Sequence, residues 1–166
     1  SAALETLQPL IERDPPEPRD LIAAACIELR KANSEHAKEL LERARAAGDD
    51  SDALLYNLAR AEYYEGDYAK AIGHLDALHE RRPDNLSVTI LLAQVHEQRA
   101  AEDASGGAPS LASAERYFGE VRAAGVEAGG PRYAAATFQL AMLLMRNDRE
   151  DDADPLFDEL DRLKES

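Results

Sequence analysis

The strongest constraint on the fold is an internal repeat with a period of 34 residues. The segment LYNLARAEYYEGDYAKAIGHLDALHERRP begins at Leu55 and can be laid over LIAAACIELRKANSEHAKELLERARAAGD, which begins 34 positions earlier at Leu21. The residues that then coincide are Leu55 with Leu21, Leu58 with Ala24, Ala59 with Ala25, Glu62 with Glu28, Ala71 with Ala37, Leu75 with Leu41 and Leu78 with Ala44. A constant period of this length indicates a stack of small units, none of which can bury its apolar face alone.

Each unit contains two amphipathic helical patterns separated by a short polar turn. Apolar residues recur at steps of three and four positions, as from Ala71 to Leu75 and from Leu75 to Leu78. Such spacing places one face of a helix toward a core, so each unit is predicted to be a helix hairpin. In the turn of the second unit, we expect Gly66 to adopt a positive φ angle and Asp67 to cap the helix that follows.

The corresponding turn one repeat earlier lacks the glycine. It reads KANSEHAKEL, and we expect Asn33 and Ser34 to play the part that Gly66 and Asp67 play in the second unit. A ligand site is not expected to recur with such loose chemistry. The turn is therefore interpreted as part of the scaffold.

The second unit resembles the tetratricopeptide repeat (TPR). The residues that carry the resemblance are Leu55, Asn57, Leu58, Ala59, Tyr63, Gly66, Asp67, Tyr68, Ala71, Leu75, Leu78 and the closing Pro83. Two positions depart from the family pattern, because Ala59 stands where the family prefers glycine and Glu62 where it prefers an aromatic residue. The resemblance implies an all-α fold, a right-handed superhelical solenoid of antiparallel helix hairpins.

Further copies of the pattern extend over nearly the whole chain. We predict a single TPR solenoid over 1–166, made of a half repeat at 1–15 and repeats at 18–51, 52–85, 86–128 and 131–166. The third repeat is longer than the second: His96 to Ala114 spans 18 positions, whereas Glu62 to Ala71 spans 9. The extra residues are rich in Gly, Ala, Ser and Pro and predict an inserted loop at 101–110. The opening half repeat and the absence of a polar capping helix lead us to expect a fragment of a longer protein.

The charge of the chain bears on its partners. Lys and Arg number 19 against 33 Asp and Glu, which gives a net charge of −14. Such a field repels phosphate backbones and anionic lipid surfaces, so nucleic acid is not expected as a partner. Membrane insertion is not expected either, because no apolar run reaches about 18 residues. The compartment is unknown, with the cytoplasm as the default, since the native N-terminus is not visible.

Signatures of catalysis and of metal binding are weak. Phosphate-binding glycine loops, the nucleophile elbow and the zinc-protease helix motif do not occur, and Cys26 is the single cysteine. The histidines fall at unlike places in the repeat. We therefore predict that the protein is not an enzyme and has no catalytic residues, no cofactor and no metal site.

One acidic stretch imitates a calcium-binding loop. In DREDDADPLFDE the acidic residues follow the spacing of an EF-hand, at Asp148, Glu150, Asp152, Asp154 and Glu159. However, the glycine that the sharp turn of such a loop requires is replaced by Ala153. The repeat register also requires this stretch to begin a helix, whose first turn favours carboxylates. We therefore interpret it as a helix start.

The TPR resemblance also implies where a partner would bind. In that family the first helix of each hairpin lines a concave groove, and the corresponding residues here are predicted to contact a partner. They are Ile22, Cys26, Arg30, Tyr56, Asn57, Arg60, Tyr63, Tyr64, Ile90, Gln94, Phe138, Gln139, Met142 and Arg146. Aromatic residues, methionines and arginines favour a peptide with apolar and some acidic side chains.

These features predict a non-catalytic scaffold that binds a partner peptide or protein segment in the groove. The family's clamp for a C-terminal carboxylate is not predicted, because only Asn57 matches it. Two alternatives stay open. The chain could form a homo-oligomer through uncapped terminal helices, or it could be a regulatory repeat segment of a larger enzyme.

Overall fold

A computed structural model of the chain describes residues 2–13, 16–103 and 107–165. Within those ranges the secondary structure is entirely helical, and the all-α prediction is confirmed. The helices are α1 (Ala2–Ile11), α2 (Pro18–Arg30), α3 (Ser34–Ala46), α4 (Asp52–Glu65), α5 (Tyr68–Arg81), α6 (Leu86–Glu102), α7 (Ala108–Ala123), α8 (Gly125–Gly129), α9 (Pro131–Met145) and α10 (Glu150–Glu165).

Helices begin where the repeats were predicted to begin. The first helices of the four repeats, α2, α4, α6 and α9, start at Pro18, Asp52, Leu86 and Pro131. The chain divides into two compact units, Ser1–Leu78 and His79–Ser166. The single solenoid over 1–166 stays a prediction.

The first unit is built on mutual contacts among α2, α3 and α4. Large residues such as Leu21, Leu41 and Leu58 are completely buried, and Ala25 and Ala37 beside them have no exposed surface either. Alternation of large and small side chains lets neighbouring helices approach closely and still fill the space between them. Short connections make successive packed helices antiparallel, so α2 and α4 run in the same direction.

The second unit packs α7 against α6 and α9, with α10 on α9. Phe118 of α7 is completely buried. A hydrogen-bond network also joins α7, α9 and α10: Arg122 donates to Glu159 at 2.7 Å and to Thr137 at 3.2 Å, while the Tyr133 hydroxyl donates to the other oxygen of Glu159. The short helix α8, which the sequence pattern did not predict, connects α7 to α9.

Helices extend from both sides into the segment that was predicted to be an inserted loop at 101–110. Helix α6 continues to Glu102 and α7 begins at Ala108, so both helices extend into it, and residues 104–106 lie outside the described part of the chain. Gly107 closes the insertion with φ 43°, and a Cβ atom there would collide with the carbonyl oxygen of Ala100. Glycine is therefore required at this close approach.

The turn between α4 and α5 has the predicted geometry. Gly66 adopts φ 79°, and Oδ1 of Asp67 accepts a long hydrogen bond of 3.4 Å from the backbone N–H of Lys70. One repeat earlier the solution differs, because Ala32 takes the left-handed conformation at φ 60°. Asn33 is the N-cap residue of α3, but its side chain makes no capping hydrogen bond, because its amide donates to Glu28 at 2.8 Å.

The stretch that imitates a calcium loop begins helix α10 at Glu150, as the repeat register predicted. Before it, Asp148 adopts φ 58° and ends the preceding turn. Among the helices that the structure describes, none combines the length and the apolar composition needed to cross a membrane.

Two glycines of the second repeat provide a matched test of this backbone geometry. Replacing Gly66 by Ala forces a side chain into the left-handed region and should cost about 1 kcal/mol of unfolding free energy. Gly73 lies inside α5 with open space around it, so Gly73→Ala should stabilise the protein by about 0.5–1 kcal/mol. Chemical denaturation followed by circular dichroism measures both changes. Equal stabilisation by the two variants would contradict the assigned turn.

Candidate functional site

The predicted groove residues fall into two sets, one in each compact unit. The first set, called here the α2–α4 face, consists of Ile22, Cys26, Arg30, Tyr56, Asn57, Arg60, Tyr63 and Tyr64. The second set, called the α6–α9 face, consists of Ile90, Gln94, Phe138, Gln139, Met142 and Arg146.

The α2–α4 face is organised around one stripe of helix α4. Tyr56, Arg60 and Tyr64 follow one another at steps of four residues, which places them on the same side of the helix. Tyr64 has 53% of its surface exposed, and the other two are half-buried. The stripe therefore presents a guanidinium between two phenol rings.

Asn57 connects this stripe to α2. It is buried, its Nδ2 donates to the carbonyl oxygen of Ala53 at 2.8 Å, and its Oδ1 accepts from Nη1 of Arg60 at 3.2 Å. The Cys26 thiol of α2 lies close enough to Asn57 for the amide to lower the thiol pKa. Asn57 thereby holds Arg60 in position at the contact between the two helices.

Cys26 has the properties of a packing residue. Burial raises the pKa of its thiol, although the positive charge of Arg60 and the hydrogen bond to Asn57 act in the opposite direction. A raised pKa keeps the thiol protonated at neutral pH, and a protonated thiol is a poor nucleophile.

Two members of the α2–α4 face contribute mainly to packing. Ile22 has only 9% of its surface exposed. The Tyr63 ring lies 5.5 Å from the ring of Tyr64 and 6.2 Å from that of Tyr68 on α5, so it covers the turn between the two helices. The surface that a partner could reach is therefore dominated by Arg30, Arg60 and Tyr64.

Charge is sorted between the two sides of α2 and α4. Their glutamates lie on the side of α3 and α5: Glu28 pairs with Lys31 at 3.2 Å, Glu65 pairs with Lys38 at 2.6 Å, and Glu62 faces His74 at 3.4 Å. Arg30 and Arg60 have no carboxylate within ion-pair distance in the part of the chain that the structure describes. The α2–α4 face thus carries unneutralised positive charge on an acidic protein.

The α6–α9 face is more apolar. Phe138 has 49% of its surface exposed, and its ring meets the edge of Phe157 on α10 at 6.4 Å. Met142 and Gln139 are half-buried on the same helix, as are Ile90 and Gln94 on α6. This face therefore offers flexible, weakly polar side chains.

Arg146 differs from Arg60 in being neutralised. Its guanidinium donates to Glu97 on α6, a residue only 8% exposed, and its Nε donates to the Met142 carbonyl at 3.2 Å. A cavity of about 200 Å³ lies beside this pair and is lined by Leu111, Leu143 and Asn147 among others. Sequence reasoning missed the pair, because nothing local connects residues 49 positions apart.

Glu62 is a buried carboxyl group whose ionised form is poorly stabilised. It is 2% exposed, its Oε2 has no hydrogen-bond partner, and burial raises its pKa to about 7. His74 faces it at 3.4 Å with a pKa lowered by burial. One repeat earlier burial also raises the pKa of Glu28, but hydrogen bonds from Asn33 and Lys31 outweigh it, so that pKa is lowered.

Glu62 and His74 do not form a metal site. In the ranges that the structure covers, no three His, Cys, Asp or Glu side chains are arranged to hold a metal ion. The pair lies between α4 and α5, away from the α2–α4 face.

Part of the chain matches the model of a known protein family. Residues 52–95 match the tetratricopeptide repeat model, a segment that contains α4 and α5 and most of α6. The TPR resemblance is confirmed. A comparison with curated proteins found no match.

Solved TPR structures share the fold at low sequence identity. MamA of MSR-1 superimposes with a TM-score of 0.73 at 17% identity over 96% of this chain and 83% of its own. MamA of AMB-1 superimposes with a TM-score of 0.69 at 18% identity, over 96% of this chain and 80% of its own. TTC0263, a thermophilic TPR protein of Thermus thermophilus, superimposes with a TM-score of 0.69 at 20% identity, over 90% of this chain and 75% of its own. Likeness at this identity establishes the helical-repeat fold.

Substitution of Glu62, which stands where the TPR family prefers an aromatic residue, tests the raised pKa of this carboxyl group. Because the folded state holds the proton more tightly than the unfolded state, stability falls as pH rises from about 4.5 to about 7. The neutral Glu62→Gln should raise the unfolding free energy by up to about 3 kcal/mol at pH 8 and by little at pH 5. Denaturation at both pH values measures the difference.

Glu65→Gln is the matched control, because Glu65 is paired with Lys38 and should give no such gain. His74 is present in the unmodified chain and in both variants, so its own titration largely cancels in the differences of unfolding free energy. A gain from Glu62→Gln of the same size at pH 5 and pH 8 would contradict the account.

Proposed function

We propose that this protein is a non-catalytic protein-interaction scaffold whose α2–α4 face binds a segment of a partner protein. The proposal is carried by the stripe of Tyr56, Arg60 and Tyr64 on α4, which presents aromatic rings and an arginine without a carboxylate partner among the described residues. Tyrosine and arginine are enriched among the residues that dominate binding energy at protein interfaces. The fold shared with TPR proteins supports the same conclusion.

Preorganisation gives this face an energetic advantage. Asn57 holds Arg60 before any partner arrives, and the phenol rings have few rotatable bonds. A surface that is already ordered loses little conformational entropy on binding, so more of the interaction energy appears as affinity.

The α6–α9 face is proposed as a second contact surface of different character. Phe138 and Met142 can adapt to varied apolar side chains, since methionine in particular is flexible and polarisable. Arg146 is a weaker candidate than Arg60, because a partner carboxylate would have to displace Glu97.

A scaffold without catalysis agrees with the chemistry of the α2–α4 face. Cys26 lies beside Asn57 and Arg60, and neither is a general base. Its raised pKa keeps the thiol protonated. The proposal therefore assigns Cys26 to the floor of a binding surface.

Removing the stripe should abolish binding with little loss of stability. A peptide-display screen against the 166-residue chain supplies ligands. The variant Tyr56→Ala/Arg60→Ala/Tyr64→Ala should weaken their binding at least about tenfold, as expected for truncation of interface anchors. Calorimetry measures affinity, and circular dichroism measures the melting temperature. Undiminished binding would refute the assignment, as would an unfolded variant.

The control variant is Glu35→Ala/Glu39→Ala/Arg45→Ala, which alters exposed residues of α3 and should leave binding unchanged. Light scattering at several concentrations separates peptide binding from the self-association alternative. A mass that rises with protein concentration without peptide, and rises equally in the triple variant, would favour self-association through the terminal helices.

A further inference from the structure

Most cations of the first unit already have an anionic partner. Lys31 pairs with Glu28, Lys38 with Glu65, Arg45 with Glu42 and Lys70 with Asp67. Arg30 and Arg60 lack such a partner within the described residues, and both lie on the α2–α4 face. Arg13 and Arg43 also lack a carboxylate partner among these residues, but they are not part of the α2–α4 face, and Arg43 donates to the Ile11 carbonyl at 2.6 Å. In a chain of net charge −14, two unneutralised arginines therefore share this one face. The charge on this surface is complementary to a carboxylate.

Arg60 is also held in position. Its Nη1 donates to Oδ1 of Asn57 at 3.2 Å, and Asn57 is itself fixed by its bond of 2.8 Å to the Ala53 carbonyl. A guanidinium carries five N–H donors, so Arg60 keeps four for a ligand. The planar fork suits bidentate binding of a carboxylate.

The neighbours of Arg60 indicate what surrounds that carboxylate. Tyr56 and Tyr64 stand four residues before and after it, and side chains at this spacing are about 5–6 Å apart at Cβ. Eight residues of helix are about 12 Å long, so aromatic surface extends along α4 on both sides of the guanidinium. A ligand that covers both rings must continue in both directions from its carboxylate.

Building on the proposed function, we propose that the α2–α4 face selects a partner segment with an internal Asp or Glu flanked by apolar residues. The side-chain carboxylate binds Arg60, and the flanking residues pack on Tyr56 and Tyr64. Arg30, at the end of α2, adds attraction at longer range. Glu28 and Glu62 do not compete, because they are buried on the opposite side, and the neighbouring Glu65 is paired with Lys38.

The test uses the whole chain and defined peptides. One set is acetylated and amidated with a central Glu flanked by Leu and Phe, and the second set carries Gln in place of Glu. A third set has the central Gln and a free C-terminal carboxylate. Fluorescence anisotropy measures binding to the unmodified chain, to Arg60→Gln, to Arg60→Lys, and to Arg45→Gln, which removes the same charge from exposed α3.

The Glu peptides should bind the unmodified chain and Arg45→Gln about tenfold more tightly than the Gln peptides. That preference should disappear in Arg60→Gln and shrink in Arg60→Lys, which keeps the charge but loses the fork. It should also weaken with added salt. Because Cys26 is the single cysteine, slower alkylation of its thiol in the presence of the Glu peptide would locate the ligand on this face.

Equal binding of the Glu and Gln sets would overturn the selectivity for an acidic segment. If both peptide sets bind equally and their affinity falls in Tyr56→Ala/Tyr64→Ala, the α2–α4 face is still a binding surface, and only its selectivity for an acidic segment is lost. Preference for the free C-terminus would assign the carboxylate to a chain end and overturn the internal site. Absence of binding by all three sets at about 1 mM, near the weak end of specific recognition, would overturn both proposals. Circular dichroism confirms that each variant is folded.

Discussion

Close packing of helices across alanine is the constraint on which the rest of the structure depends. Ala25, Ala37, Ala59 and Ala71 have no exposed surface, and the repeat pattern places each of them on the inner side of its helix. A larger side chain there would push the helices apart, since packed interiors tolerate extra volume poorly. With the alanines in place, leucines fill the remaining space, and each helix has a determined inner and outer side.

That constraint leads to the distribution of charge on α2 and α4. Once one side of each helix is committed to α3 and α5, Glu28 and Glu62 are drawn into partly dry surroundings and need donors. Glu28 finds them in Asn33 and Lys31, whereas Oε2 of Glu62 finds no donor among the described residues, and burial raises the pKa of Glu62 to about 7. The opposite side keeps the tyrosines and the two unpaired arginines. The scaffold and the candidate site thus come from a single division of each helix into two sides.

Periodicity in the sequence predicted the helices well because helix formation is governed by neighbours three and four positions away. The repeat starts at Pro18, Asp52, Leu86 and Pro131 coincide with helix starts for this reason. Errors arose where a residue had two available partners. Asn33 and Ser34 were expected to form their turn as Gly66 and Asp67 do, but Ala32 takes the left-handed conformation and the Asn33 amide donates to the charged carboxylate of Glu28. The helix α8 has too few residues to leave a periodic pattern.

The sequence by itself determined the helices and their order, and its spacing placed Tyr56, Arg60 and Tyr64 on one side of α4. It could not distinguish Arg60 from Arg146, which were both predicted to line the groove. Arg60 is held by an amide three residues away and keeps its charge available, whereas Arg146 is neutralised by Glu97, 49 positions earlier in the chain. Partners at such separations are set by which helices pack together and at what height. Only the tertiary structure decides that, and with it which arginine can serve a ligand.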